Sequence, residues 1–111
     1  MGSTQTARYE SARPYIVPDR LTDLVGPRSG IVTLPTSIDW APTDHTYDLD
    51  DPDDRRWAYM RVVREATTIT DLERLLDADL LIELWPSLFL PPQCRDAWER
   101  RFPELAKHAA H

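Results

Sequence analysis

The sequence predicts a mainly α fold of the α+β kind. An irregular, proline-rich N-terminal part with one or two short strands precedes four or five short packed helices. Three observations predict this. Apolar residues from position 57 onward recur at three-to-four spacing, the period of a helix face. Prolines at 14, 18, 27, 35 and 42 cut the first part into short pieces, because proline fixes φ and removes a backbone donor. The β-branched run Ile31-Val32-Thr33-Leu34 sits between Gly30 and Pro35, as a short strand does.

The elements follow in order. Residues 1–12 read as a polar tail, and 13–111 as a single domain, irregular with short strands over 13–51 and helical over 52–106. A short helix is expected over Asp19–Val25, with Pro18 at its start and Gly26 after its end. A second strand over Thr46–Leu49 would make a small hairpin with the first. Asp51-Pro52 marks the start of a helix over Pro52 to Ala66, Asp as cap and Pro in the first turn. Trp57, Met60, Val63 and Ala66 or Thr67 form its predicted inner stripe. Thr70-Asp71-Leu72-Glu73 fits a capping box for a short helix that turns Leu72, Leu75 and Leu76 inward. Asp77 can cap the next, with Leu80, Leu81, Leu84 and Trp85 inward and Pro86 as its stop. Pro91-Pro92 opens a helix whose Cys94, Ala97, Trp98 and Phe102 share a face, and Pro103-Glu104 starts a final turn through Ala106. All the spacing evidence for a core lies in residues 57–105.

Composition narrows the function. At 111 residues the chain supports one core, hiding roughly two thirds of the surface its unfolded form exposes. Four Trp and four Tyr argue against wholesale disorder. The single cysteine, Cys94, cannot staple a fold, and with three histidines it completes no zinc site. A reducing, cytoplasmic compartment fits, and no apolar run reaches the length of a membrane span. The net charge of −6 is uneven: residues 1–54 hold ten acids against four bases, and residues 55–111 hold nine of each. A fold-wide basic surface for nucleic acid is therefore absent.

The most unusual segment is Asp44-His45-Thr46-Tyr47-Asp48-Leu49-Asp50-Asp51-Pro52-Asp53-Asp54, six carboxylates in eleven residues. As a solvated loop, its last acids would favour the positive end of the following helix. As a calcium loop it fails, because the sixth and twelfth positions from Asp44 are Leu49 and Arg55 instead of Gly and Glu. Asp48 and Asp50 have the spacing of a nucleotidyltransferase carboxylate pair, but no Gly-Ser approach precedes them and the chain holds three glycines in all. As a docking loop, Asp48, Asp50, Asp51, Asp53 and Asp54 would meet a basic cleft on a partner. No cofactor and no metal are implied. Cys94 on an apolar face reads as a structural thiol.

Two other features bear on partners. Arg95, Arg100 and Arg101 lie on the second half of a helix pair, residues 79–85 and 92–101, that could act as a DNA-reading helix-turn-helix. Asp96 and Glu99 dilute that face, and the connection from Pro86 to Pro91 is long and apolar. In Trp85-Pro86-Ser87-Leu88-Phe89-Leu90-Pro91-Pro92 the apolar residues exceed what a short connection needs. They fill the core, or Trp85 and Phe89 anchor a partner.

Arg8-Tyr9-Glu10-Ser11-Ala12-Arg13-Pro14, Tyr47-Asp48-Leu49-Asp50-Asp51-Pro52, Leu84-Trp85-Pro86-Ser87-Leu88-Phe89-Leu90-Pro91 and Ala97-Trp98-Glu99-Arg100-Arg101-Phe102-Pro103-Glu104-Leu105 resemble small actinobacterial proteins encoded beside nucleotidyltransferase-like toxins of the AbiEii type. The resemblance spans about residues 8–105. It implies an antitoxin that neutralises a toxin encoded by the neighbouring gene and regulates its operon. The expectation is a non-catalytic, antitoxin-like protein that docks through the acidic loop and an apolar helical surface. The alternative is a transcriptional regulator that binds DNA through Arg95, Arg100 and Arg101.

Overall fold

In the computed structural model, residues 15–39 and 45–109 are described. The predicted tail over 1–12, Asp44, and the side chains of His108 and His111 lie outside them. The elements are β1 (Ile31–Thr33), β2 (Thr46–Asp48), α1 (Pro52–Glu65), α2 (Ile69–Leu75), α3 (Ala78–Leu84), α4 (Pro92–Arg101) and α5 (Pro103–Ala109). Three-residue 3₁₀ turns occur at Leu21–Asp23 and Trp85–Ser87. The chain is mainly helical with one small antiparallel sheet, as expected.

The strands pair with Ile31 opposite Asp48, Val32 opposite Tyr47 and Thr33 opposite Thr46. The ladder continues one bond at each end: Leu34 N–H donates to the His45 carbonyl at 3.0 Å, and Leu49 N–H to the Gly30 carbonyl at 2.8 Å. Gly30 leads into β1 at φ 81°, a left-handed conformation in which a side chain is strained. The β2 strand packs against α1.

The predicted helix over 19–25 shortens to the 3₁₀ turn Leu21–Asp23. Tertiary bonds replace the helical ones. Val25 N–H donates to the Glu73 carbonyl at 2.9 Å, Gly26 N–H to the Leu76 carbonyl at 2.7 Å, and Ala78 N–H to the Leu24 carbonyl at 3.3 Å. The chain therefore runs extended along the junction of α2 and α3. Gly26 is required there for close approach rather than as a helix end. A Cβ at that position would lie 2.6 Å from the backbone of Leu75 and Leu76.

The start of α1 is as predicted: Asp51 caps it, its carboxylate accepting from Asp54 N–H at 3.1 Å. Of the predicted inner stripe, Met60 and Val63 are buried and Ala66 packs on the core, but Trp57 does not face inward. Ala58, Tyr59, Met60, Val62 and Val63 are buried, whereas Trp57 is 53% exposed. Two overlapping stripes were available in this stretch, and the inside belongs to the one through Tyr59. Its hydroxyl accepts from Asp77 N–H at 2.9 Å and donates to the Pro27 carbonyl at 3.3 Å. Tyr59 and Trp57 lie about 200° apart around the helix, so burying one exposes the other.

The cap of α2 is Thr68, whose hydroxyl accepts from Asp71 N–H at 3.1 Å, so the box predicted on Thr70 and Glu73 is displaced by two residues. Thr70 is already helical. Leu72 and Leu76 are fully buried and Leu75 partly so. Asp77 caps α3 as predicted, accepting from Leu80 N–H at 3.0 Å. The α-helix ends at Leu84, but Pro86 does not end the winding. It sits within the 3₁₀ turn Trp85–Ser87, where a missing N–H costs nothing.

The core joins both halves. Leu21, Leu24, Leu34, Ile38 and Leu49 share one cluster with the buried residues of α1 to α5. These front-half leucines and isoleucine lie outside the 57–105 stretch that carried the periodicity. At the centre Trp85 packs on Trp98 with ring centroids 5.9 Å apart, and Trp98 on Phe102 at 6.2 Å. Tilted pairs at such spacing contribute about 0.5–1.5 kcal/mol beyond their buried area.

Two stability effects follow. Gly26→Ala pushes a methyl into backbone that has no rotamer to yield, and should cost about 1–3 kcal/mol. Tyr59→Phe leaves Asp77 N–H and the Pro27 carbonyl without their hydroxyl partner, and should also cost about 1–3 kcal/mol. Both are read as a lower urea midpoint at unchanged slope.

Candidate functional site

The acidic segment closes the junction between β2 and α1. Asp48 N–H donates to the Asp54 carboxylate at 3.1 Å, and the Asp48 carboxylate accepts from Asp50 N–H at 3.0 Å. Asp51 caps the helix, and Asp53 pairs with Arg56 at 2.8 Å. Asp48 and Asp54 are thereby half-buried, while Asp50, Asp51 and Asp53 remain exposed. Carboxylates gather here because the first turn of a helix presents orphan N–H groups and the positive end of its dipole. The Asp53–Arg56 pair is an exposed i,i+3 pair of the kind that contributes little.

Trp85 and Phe89, read together from the sequence, separate in space. Trp85 is fully buried, its Nε1–H donating to Glu99 at 2.9 Å and its ring against Trp98. It is the inward core residue that the helix spacing predicts, so the alternative use of Trp85 as a partner anchor is corrected. Phe89 is 86% exposed. The backbone explains the difference. Leu88 is extended at φ −82°, ψ 133°, and successive side chains of extended chain point to opposite sides. Leu88 is buried, so Phe89 faces out. Arg95 fixes this turn: its guanidinium donates to the Leu88 carbonyl at 2.6 Å and lies 5.1 Å from the centre of the Trp85 ring.

Phe89 meets Trp57. Together with Arg56, Met60 and Ser87 they line a recess of about 180 Å³. Asp53, Arg56, Trp57 and Met60 follow the i, i+3, i+4, i+7 spacing of one α1 face. Asp53 and the Arg56 that pairs with it therefore share the helix face that carries Trp57. Sequence reasoning missed Trp57 because it placed that residue in the core. The available signal was the competing stripe through Tyr59, Val62, Val63 and Ala66.

Of the predicted DNA-reading arginines, Arg95 is built into the fold, while Arg100 and Arg101 stay largely exposed. Arg95 is turned onto Leu88, Trp85 and Glu99. Arg100 pairs with Asp96 at 3.0 Å, and Arg101 donates to the Asp19 carbonyl at 2.8 Å. The helices proposed as a reading pair each pack on α5.

A second polar cluster escaped the sequence reading. Asp39 is 1% exposed, and the Tyr47 hydroxyl donates to its carboxylate at 2.7 Å. His45 Nδ1 lies 3.7 Å from the same carboxylate, too far for a hydrogen bond. Burial, then the hydrogen bond to Asp39 and its charge, push the Tyr47 hydroxyl up to about 12, with Arg61 opposing. The phenol is thus held neutral as a donor to Asp39. Burial likewise pushes the Cys94 thiol up to about 11, the opposite of an activated nucleophile.

Among the described residues no group of three or more His, Cys, Asp or Glu is placed to hold a metal ion, and no helix is long and apolar enough to cross a membrane. No protein-family model, curated protein or solved structure matches the chain.

The tyrosines give a pH dependence. Tyr47 and Tyr59 both titrate near 12 in the fold against 10.0 for a free phenol, in each case mainly because burial disfavours the phenolate. Their raised values stabilise the fold fully below pH 10, and that contribution is lost as pH rises toward 12. Urea midpoints should fall across this window, and fall less steeply in Tyr47→Phe.

Proposed function

We propose that the chain is a non-catalytic binding protein of the cytoplasm, an antitoxin-like partner that neutralises a nucleotidyltransferase-type toxin encoded by the neighbouring gene. The observation that carries the binding role is the exposure of Phe89 beside Trp57, next to the acids at the start of α1. Large aromatics are the usual anchors of protein interfaces, and an acidic rim gives such an interface its direction and association rate. A nucleotidyltransferase has a cleft for nucleotide phosphates, lined by basic side chains. Asp50, Asp51 and Asp53 can meet such a cleft while Phe89 and Trp57 pack at its edge. Asp48 and Asp54 support this indirectly, by holding the strand-to-helix junction closed.

The lone buried thiol suits a reducing compartment. For the alternative, DNA regulation through Arg95, Arg100 and Arg101, Arg95 is taken up by this chain's own groups, which leaves Arg100 and Arg101 as its exposed arginines.

Coexpression with the neighbouring gene's product tests the reading. The two chains should copurify, and the product's toxicity should be relieved. Asp50→Asn with Asp53→Asn should slow association by about 2–10-fold at low salt, with the difference shrinking as added salt screens the charges. Absence of both copurification and relief refutes it.

A further inference from the structure

We infer that the outer edge of β1 takes up an extended segment of a partner protein, which adds a third strand there and sets one large apolar side chain into a pocket between β1 and α2. This goes beyond the binding role above and rests on other residues. None of those that carry it belongs to the acidic helix start or to the recess of Trp57 and Phe89.

The ladder fixes which main-chain groups face outward. Leu34 N–H bonds to the His45 carbonyl and Leu49 N–H to the Gly30 carbonyl, so positions 34 and 30 form hydrogen-bonded pairs with β2. Antiparallel pairs alternate between bonded and non-bonded, so Val32 is bonded to Tyr47, and Ile31 and Thr33 are not bonded across the pair. The N–H and carbonyl groups of Ile31 and Thr33 therefore point away from β2, in two sets about 7 Å apart along the strand. Among the described residues no hydrogen bond reaches these four groups. The outer edge of β2 differs. Its Asp48 N–H is taken by the Asp54 carboxylate at 3.1 Å.

The open edge has a pocket beside it. Thr33, Leu34 and Pro35 line one side, and Asp71, Arg74 and Leu75 of α2 the other, around about 260 Å³. The residues of the second strand's side that oppose Thr33 and Leu34, Thr46 and His45, do not line it, so it lies on the side of β1 away from β2.

These features select the occupant. Donors and acceptors that repeat at every second residue are matched by extended main chain. The pocket is below the roughly 300–1,000 Å³ of small-molecule sites and suits one large side chain. Leu34, Pro35 and Leu75 give it apolar walls. Asp71 and Arg74 are of opposite sign, so shape rather than net charge makes the choice. Ile31, 70% exposed, offers the segment an apolar cross-strand neighbour. Gly30 at φ 81° and Pro35 bound the edge and limit it to a short segment. A second copy would bring its own α2, which flanks its β1 in the same way, against this one. A lone segment carries no such obstacle.

The test uses the full chain, labelled with nitrogen-15, and the peptide acetyl-Thr-Val-Phe-Val-Thr-amide. Two controls carry N-methyl groups on alternate amides, on Thr and Phe in one and on both Val in the other. A third replaces Phe by Ser. The parent peptide should shift the Ile31 and Thr33 amide signals and protect them from hydrogen exchange, leaving Val32 and Leu34 as they were. One methylated peptide should bind about tenfold or more weaker than the other, since only one set of amides faces β1. The Ser peptide should also be weaker. Affinity should stay within about twofold as salt is raised. Thr33→Pro removes an outward N–H and keeps the ladder with β2, and should weaken the peptide by about tenfold or more. Should that variant lose its native spectrum, the methylated pair decides. No shift at Ile31 and Thr33 with about 1 mM peptide, methylated peptides that bind alike, a Ser peptide that binds as well as the parent, or affinity that falls steeply with salt would overturn the inference. So would protection of Ile31 and Thr33 that rises with chain concentration alone, which marks a second copy as the occupant.

Discussion

The Tyr59 hydroxyl is the point at which three stretches of chain meet. It accepts from the N–H that begins the capping residue of α3 and donates to a carbonyl of the proline-bounded segment before β1. Around it the extended residues Leu24 to Gly26 lie against the α2–α3 junction, close enough that a methyl at Gly26 would collide with backbone. Burying a phenol is favourable only when its oxygen is satisfied, and here the oxygen both donates and accepts. The rotation of α1 that makes these bonds also buries Ala58, Val62 and Val63. Everything on the opposite face of the helix, Trp57 first, is turned outward as a result.

The C-terminal helices obey a similar constraint. The α-helix before Trp85 ends in a tight turn whose carbonyls need donors, and Arg95 supplies them while its guanidinium stacks on the indole below. Glu99 completes the arrangement by accepting from Trp85 and pairing with Arg95. A residue suited by its charge to grip a phosphate is thus built into the frame. The benefit is a rigid connection that buries Leu88 and leaves Phe89 standing in solvent beside α1. The exposed aromatic pair is a consequence of how the two ends of the helical layer are tied.

The aspartates at the start of α1 combine two tasks. Asp51 and Asp54 with Asp48 make the hydrogen bonds that turn a strand into a helix within a few residues. The same carboxylates, with Asp50 and Asp53, concentrate negative charge at one end of the face that carries Trp57. Capping needs oxygen atoms near backbone N–H groups, and the positive end of the helix favours the charge they carry. A local folding device therefore doubles as a source of field.

Much was legible in the sequence by itself. The helices from Pro52 onward, the caps at Asp51 and Asp77, the two short strands and the buried thiol rest on interactions within a few residues or on simple periodicity. These are the interactions a sequence encodes locally. The tertiary structure alone decided which of two overlapping stripes on α1 faces inward, that residues 24–26 bond to another segment instead of forming a helix, and that Trp85 and Phe89 part ways. It also brought Asp39 under Tyr47 and Arg95 onto Leu88. Each of these turns on a partner far along the chain, and hydrogen-bond demand in a buried site is settled only when that partner arrives.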